Sequence, residues 1–365
     1  MKRPVVVIYR PVDGAEASHE ALREAGCEVI VEPVDKPGSK LSAAVCRADV
    51  LMGATFRGGV MDAAWLDQFP NLRLISKYTI GFDDVDVEAA TARSVAVTHC
   101  PTEANWGGVA EGTIAMMLAV LKRLQQRDTA VKAGSWRDAS LQGRYIGSRA
   151  DGYAGLVIGI AGLGRVGSRV AELLRPWRCT VLACDPYVPE QKFEQFGVTP
   201  AGLAQLLQRS DVLSLHCALT NETRNLIDAA AVAQMKPGSL LINTARGAIV
   251  DLDALLDGVE RGAPAYAALD VFPQEPLRHN ARLAALGDRV LLSPHMVAAN
   301  EGGTLLAAVP WATEATLAAL GGALPKRLVN EEVAAAWRDR FRDDALLEDV
   351  SAARATGKVQ SGGAS

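Results

Sequence analysis

Short apolar runs alternate with amphipathic stretches along the chain, and the alternation occurs in two series. In the first, runs rich in β-branched residues at 5–9, 27–34, 49–54, 72–78 and 95–100 predict strands. The stretches between them, such as 15–25 and 87–92, carry helix formers. Strand and helix in turn are the mark of βαβ units, so the first hundred residues predict a small parallel α/β domain.

Residues 106–124 are apolar and rich in helix formers, which predicts one helix of about five turns, long enough to bridge two domains. Residues 141–151 mix Gly, Ser, Arg and Tyr without periodicity and predict a connecting loop. A second series follows, with strands predicted at 156–161, 180–184, 212–216, 239–244, 265–271 and 290–293. Helical stretches separate most of them, as in a doubly wound parallel sheet, whose ligands bind beyond the carboxyl ends of the strands. The run 301–320, rich in Ala and Leu, predicts a helix that returns to the first domain. The division is therefore one domain of 1–104 plus 299–340 and a second of 105–298 that includes the bridging helix. Residues 343–365 end in Gly-Gly-Ala-Ser with little periodic apolar content and predict a mobile tail.

Size and charge narrow the function. A chain of 365 residues, 49% of them hydrophobic, exceeds what one core usually accommodates. The net charge of -4, with Lys and Arg spread along the chain, leaves no electrostatic footprint for nucleic acid or an anionic membrane, so a small-molecule partner is expected. No run approaches the roughly 18 apolar residues of a membrane span. The start Met1-Lys2-Arg3 leads into an apolar run that stops at Arg10, which reads as a strand and not as a signal peptide. Six cysteines lie singly with no Cys-x-x-Cys pair, so neither disulfides nor a metal site is expected, and a reducing, cytoplasmic location is.

Gly162-Leu163-Gly164-Arg165-Val166-Gly167 directly follows a predicted strand and opens a predicted helix, the context that makes a GxGxxG pattern informative. The first Gly permits the tight turn, the second lets backbone approach a pyrophosphate, and the third lets helix and strand pack closely. The amides of the helix start would bind the phosphates. The next strand ends at Asp185, where a carboxylate can accept hydrogen bonds from the adenosine ribose and repel a 2'-phosphate, which favours NAD over NADP.

Three later segments each place a useful residue at or just after a strand: Asn243-Thr244-Ala245-Arg246-Gly247, Asp270-Val271-Phe272-Pro273-Gln274-Glu275-Pro276 and Ser293-Pro294-His295. Hydride transfer to a ketone needs a cation to hold a carboxylate and polarise the carbonyl, and an acid to protonate the developing alkoxide. Arg246 offers the planar fork for the first task, and His295 exchanges a proton near neutrality for the second. The other histidines, His19, His99, His216 and His279, read as solvated, capping or strand-end residues.

In this order, the motifs closely resemble the D-isomer-specific 2-hydroxyacid dehydrogenases over roughly residues 72–330. The resemblance implies a flavodoxin-like substrate domain and a Rossmann NAD-binding domain, both doubly wound parallel sheets. It implies Arg246 as substrate binder, Glu275 as the partner that raises the His pKa, and His295 as acid/base. Lys77-Tyr78-Thr79-Ile80-Gly81 resembles the family's substrate loop, in which amides near Ile80 and Gly81 hold the substrate carboxylate and Lys77 adds positive charge; Thr79 stands where the family often has Gly. Trp106 either lines the substrate pocket or packs between domains. Further NAD contacts are implied for Thr113, Cys217, Ala218, Thr223, Thr244, Ala245 and Asp270, the last near the nicotinamide amide, and a homodimer is implied around the bridging helix. Two other readings share the scaffold: formate- or phosphite-type dehydrogenases, which carry Gln at the place of Glu275 or Lys at that of Ile80, and the NAD-sensing C-terminal-binding corepressors.

Overall fold

Val5, Val6, Val7 and Ile8 are all fully buried, the mark of a strand covered on both faces. A computed structural model describes residues 3–32, 41–56, 59–301, 303, 305–342 and 344–347. The chain divides into two units, Met1–Asn105 with Asn300–Ser365, and Trp106–Ala299.

The first unit is built on β1 (Val5–Arg10), β2 (Glu28–Val31), β3 (Val50–Gly53), β4 (Leu74–Lys77) and β5 (Ala96–Thr98). They form one parallel sheet of order β2-β1-β3-β4-β5, a doubly wound, flavodoxin-like arrangement. Val6 and Ile8 face one apolar cluster, shared with the helix Val309–Leu320, and Val5, Val7 and Tyr9 face the other. Positions 33 and 34 of the predicted second strand lie outside the described residues.

The helix Ala334–Phe341 is fastened to Arg73, the residue just before β4. Trp337 donates its indole N–H to the Arg73 carbonyl at 2.8 Å, and the Arg73 guanidinium lies 4.7 Å from the Phe341 ring centroid while pairing with Asp344 at 3.0 Å. Leu346 N–H donates to the Leu320 carbonyl at 2.8 Å. Residues 344–347 of the predicted tail thus make single long-range contacts, which leave no periodic trace in the sequence. The other residues of that stretch lie outside the described ones.

The second unit contains β6 (Val157–Ala161), β7 (Thr180–Cys184), β8 (Thr199–Pro200), β9 (Val212–Leu215), β10 (Leu240–Asn243), β11 (Tyr266–Leu269) and β12 (Val290–Leu292). The sheet is parallel throughout, in the order β12-β11-β10-β9-β6-β7-β8, so the strand order reverses between β6 and β9. β8 is not predicted: it has two residues and a proline, tolerated at the sheet edge.

The predicted helix 106–124 is observed as Glu103–Leu121. Arg123, at φ 54°, breaks it before a second helix, Leu124–Lys132, which buries none of its residues. By length and composition the 19-residue helix Glu103–Leu121 would pass as a membrane span, which corrects the expectation that no run comes close. Ala110, Met116, Met117 and Leu121 from this helix instead pack with Ile158 and Ile160 of β6.

Candidate active site

At the carboxyl end of β6 the three glycines do separate work. Gly162 has φ 94°, and a Cβ there would lie 2.6 Å from the Cys217 nitrogen, so only glycine lets this turn pass the end of β9. Gly164 precedes the helix Arg165–Leu174, and a Cβ on it would meet nothing within 4 Å. At Gly167 a Cβ would fall 2.0 Å from the Gly162 carbonyl oxygen. The turn is thus tight at both ends and open in the middle, where helix amides point outward. Arg165 is exposed there and Val166 half-buried.

Asp185, just past β7, is tied to this turn. Its Oδ2 accepts the Leu163 N–H at 2.8 Å and its Oδ1 the Tyr187 N–H at 3.0 Å. Beside it is an open hollow of about 440 Å³, walled by Cys184, Phe193, Pro200, Ala201 and Gln205 among others. Across the switch point, Cys217 is half-buried and Ala218 exposed. Thr223 donates its hydroxyl to the Ala218 carbonyl at 2.6 Å and accepts the Thr220 N–H at 2.7 Å, closing the loop after β9. His216 is held neutral by burial, which lowers its pKa to about 3, and it bonds to Ser214 at 2.9 Å. Thr113 and Thr244, both buried, share a 2.8 Å hydrogen bond between hydroxyls.

The strands β10, β11 and β12 are neighbours, so the loops that follow them meet. Asn243 shapes the first: its amide donates to the Arg246 carbonyl at 2.9 Å and its oxygen accepts the Ala245 N–H at 3.1 Å. A Cβ on Gly247 would lie 1.9 Å from the Phe272 carbonyl carbon, so glycine allows the Arg246 turn to press against the loop bearing Glu275. Glu275 Oε1 accepts the Phe272 N–H at 2.9 Å, and Oε2 lies 2.7 Å from His295 Nδ1.

Asp270 fixes the third loop. Its carbonyl accepts the His295 N–H at 2.7 Å, and its Oδ1 accepts the N–H groups of Met296 and Val297 at 2.9 and 3.1 Å. His295 itself is in the left-handed region at φ 56°. On the far side, a Cβ on Gly112 would meet Val297 Cγ2 at 2.2 Å, so the helix Glu103–Leu121 backs directly onto this loop. The loop-holding roles of Asn243, Asp270 and Gly112 escaped sequence reasoning; the Gly inside an otherwise apolar helix was the available signal.

Burial raises the pKa of Glu275, but its bonds from His295 and the Phe272 N–H, with the charges of His295 and Arg246, outweigh this and hold it below the ordinary carboxylate value. An ionised carboxylate only accepts, so His295 Nδ1 carries a proton and Nε2 is left to exchange one. Arg246, Glu275 and His295 thus form one constellation of cation, carboxylate and imidazole at the strand ends, with Arg246 half-buried and Glu275 and His295 exposed.

In the first unit, Ile80 and Gly81 lie half-buried in the turn after β4, and in the second Trp106 is half-buried on the helix Glu103–Leu121. Lys77 corrects an expectation. It is fully buried, with Nζ donating to the Ala54 carbonyl at 2.8 Å, to Tyr9 Oη at 3.1 Å and to the Asp84 carboxylate. All three ammonium protons are taken by the protein. Burial lowers its pKa against the opposing charge of Asp84. Lys77 is a structural cation and not one presented to substrate.

The family profile described as "D-isomer specific 2-hydroxyacid dehydrogenase, NAD binding domain" matches residues 114–297. The chain is 36% identical to D-3-phosphoglycerate dehydrogenase of Mycobacterium tuberculosis over 96% of its own length, and spans 64% of that relative. It is also 36% identical to glyoxylate reductase of Thermofilum pendens, covering 91% of this chain and 96% of the relative. Among solved structures, a glyoxylate reductase from Paecilomyes thermophila superposes with a TM-score of 0.80 at 25% identity, over 91% of this chain and 100% of that one.

Proposed function

Because the chain belongs to the D-isomer-specific 2-hydroxyacid dehydrogenase family, we propose that it interconverts a 2-keto acid and a D-2-hydroxy acid with NAD as hydride carrier. The observation that carries this reading is the 2.7 Å contact of Glu275 with His295 Nδ1 beside Arg246. The residues at the β6 turn fit a dinucleotide: the open face at Gly164 suits a pyrophosphate, and the carboxylate of Asp185 suits a ribose diol and opposes a 2'-phosphate. The nicotinamide, when bound, supplies or takes up the hydride.

This chain's residues do the rest. Arg246 pairs with the substrate carboxylate and polarises the keto oxygen. His295 Nε2 donates a proton to the oxygen as it gains charge and recovers it in the oxidative direction. Glu275 accepts from Nδ1 and so fixes the ring, leaving Nε2 to face the substrate oxygen. The first unit serves as the substrate domain, where the amides of Ile80 and Gly81 are available to an anion. Glu275 and Ile80 stand where formate- and phosphite-type enzymes carry other residues, and identity to named reductases and dehydrogenases weighs against a pure corepressor role.

The exposed Leu124, Val131, Trp136 and Tyr145 lie on and after a helix that buries nothing, which supports a homodimer formed there. Six free cysteines fit a reducing, cytoplasmic compartment. The deciding experiment is NADH oxidation against a panel including glyoxylate, pyruvate, hydroxypyruvate and 3-phosphohydroxypyruvate. Turnover of at least one is expected; NADH binding without any turnover would leave the corepressor-like reading in its place.

A further inference from the structure

In the turn after β4, every carbonyl from Thr79 to Gly81 is already engaged. Cys100 N–H donates to the Thr79 carbonyl at 3.1 Å, His99 Nδ1 lies 3.0 Å from the Ile80 carbonyl oxygen, and the Thr79 hydroxyl donates to the Gly81 carbonyl at 2.7 Å. Among the described residues, neither the Ile80 nor the Gly81 N–H donates to a protein acceptor. These peptides are trans, so each C=O points opposite to the N–H that follows it. The Thr79 and Ile80 carbonyls both turn toward residues 99–100, just past β5. The N–H groups of Ile80 and Gly81 therefore both turn away from that segment, to one side. Two successive N–H groups aimed together make an anion-binding concavity.

We propose that His99 is a positioning residue for this concavity, orienting the Gly81 amide toward a substrate carboxylate. Cys100 acts through its main chain, so the imidazole of His99 is the side chain that sets the Ile80–Gly81 peptide plane. A carbonyl only accepts, so His99 Nδ1 carries the proton. The ring cannot swing freely, because Phe82 packs edge-on against it with centroids 6.0 Å apart. Thr79 completes the device from the other end, which gives its hydroxyl a purpose that glycine at that place would lack. The placement revises the reading of His99 as a strand-end residue without a functional part.

The inference rests on the keto-acid reading, and the experiment separates the two. In the full chain, His99→Leu is expected to raise KM for the best 2-keto acid about 5–10-fold, the cost of one lost orienting hydrogen bond, with kcat within about threefold. NADH affinity, measured by fluorescence titration, is expected to stay unchanged. His99→Asn, whose amide nitrogen stands at the Nδ1 position, is expected to restore KM to within about twofold. Unchanged KM in His99→Leu, or a loss that Asn does not rescue, overturns the role of His99. Should the Leu variant not fold, Thr79→Val carries the test, with a KM rise of about threefold expected and an unchanged KM overturning the device. If the unsubstituted chain turns over no keto acid at all, the underlying reading fails first, and this role falls with it.

Discussion

Glu275 reaches His295 from the loop after the neighbouring strand, and its two oxygens divide the labour: one accepts the Phe272 N–H at 2.9 Å and the other faces Nδ1 at 2.7 Å. The carboxylate is thereby pinned to its own loop before it pins the imidazole. Orientation of the ring is preset, which is how a positioned acid gains efficiency over a free one.

His295→Gln removes the exchangeable proton while leaving the loop, which is held through main-chain groups by Asp270. Turnover is expected to fall about 100-fold or more with NADH affinity nearly intact. Steady-state kinetics and a fluorescence titration check this; near-normal kcat would remove His295 from the chemistry.

Two glycines of the β6 turn are expected to fail in different ways. Gly167→Ala drives a Cβ to 2.0 Å from the Gly162 oxygen, so a lower melting temperature is expected. Gly164→Ala meets nothing within 4 Å of the protein, so the fold should keep its melting temperature while NADH binds more weakly. Equal losses in both assays for both variants would contradict this division.

Asp185 anchors the glycine turn through the Leu163 and Tyr187 N–H groups, and the proposed function puts its charge beside the ribose. Asp185→Asn keeps an acceptor and deletes the charge. The ratio of NADPH to NADH dissociation constants is expected to narrow by about tenfold, the scale of one charged contact. An unchanged ratio would break the ribose assignment.

Lys77 is a test of structure against binding. Lys77→Met leaves Asp84, only 8% exposed, without its cation, and such a loss typically costs about 3–5 kcal/mol of stability. Urea unfolding should show it. A raised KM with unchanged unfolding would instead restore Lys77 to the substrate.

Asp211 links stability to pH. Burial raises its pKa, but Lys236, the Val157 N–H and Arg144 outweigh this and leave it below the ordinary value. A carboxyl depressed in the folded state contributes stability above its unfolded pKa of about 3.9, and loses it as pH falls through the lower folded value. Asp211→Asn is therefore expected to be less stable than the parent at neutral pH, with the gap closing below about pH 4 in urea midpoints measured across pH.

Much of the fold was legible because parallel strands covered on both faces are nearly continuous apolar runs, as in β1 and β3. What escaped lacked that signal. β8 is a two-residue edge, and the break at Arg123 is one left-handed residue inside helix-forming sequence.

By itself, the sequence determined the GxGxxG turn, the acidic residue just past β7 and the order of Arg246, Glu275 and His295 after successive strands, because local spacing along a βαβ chain dictates what stands at a strand end. Only the tertiary structure decided where each side chain's partners lie. Burial turned Lys77 inward to Asp84, a peptide plane joined His99 to Ile80, and adjacency of β11 and β12 brought Glu275 to His295. Such pairings depend on sheet order and desolvation, which act between residues remote in the chain and leave no periodic trace in it.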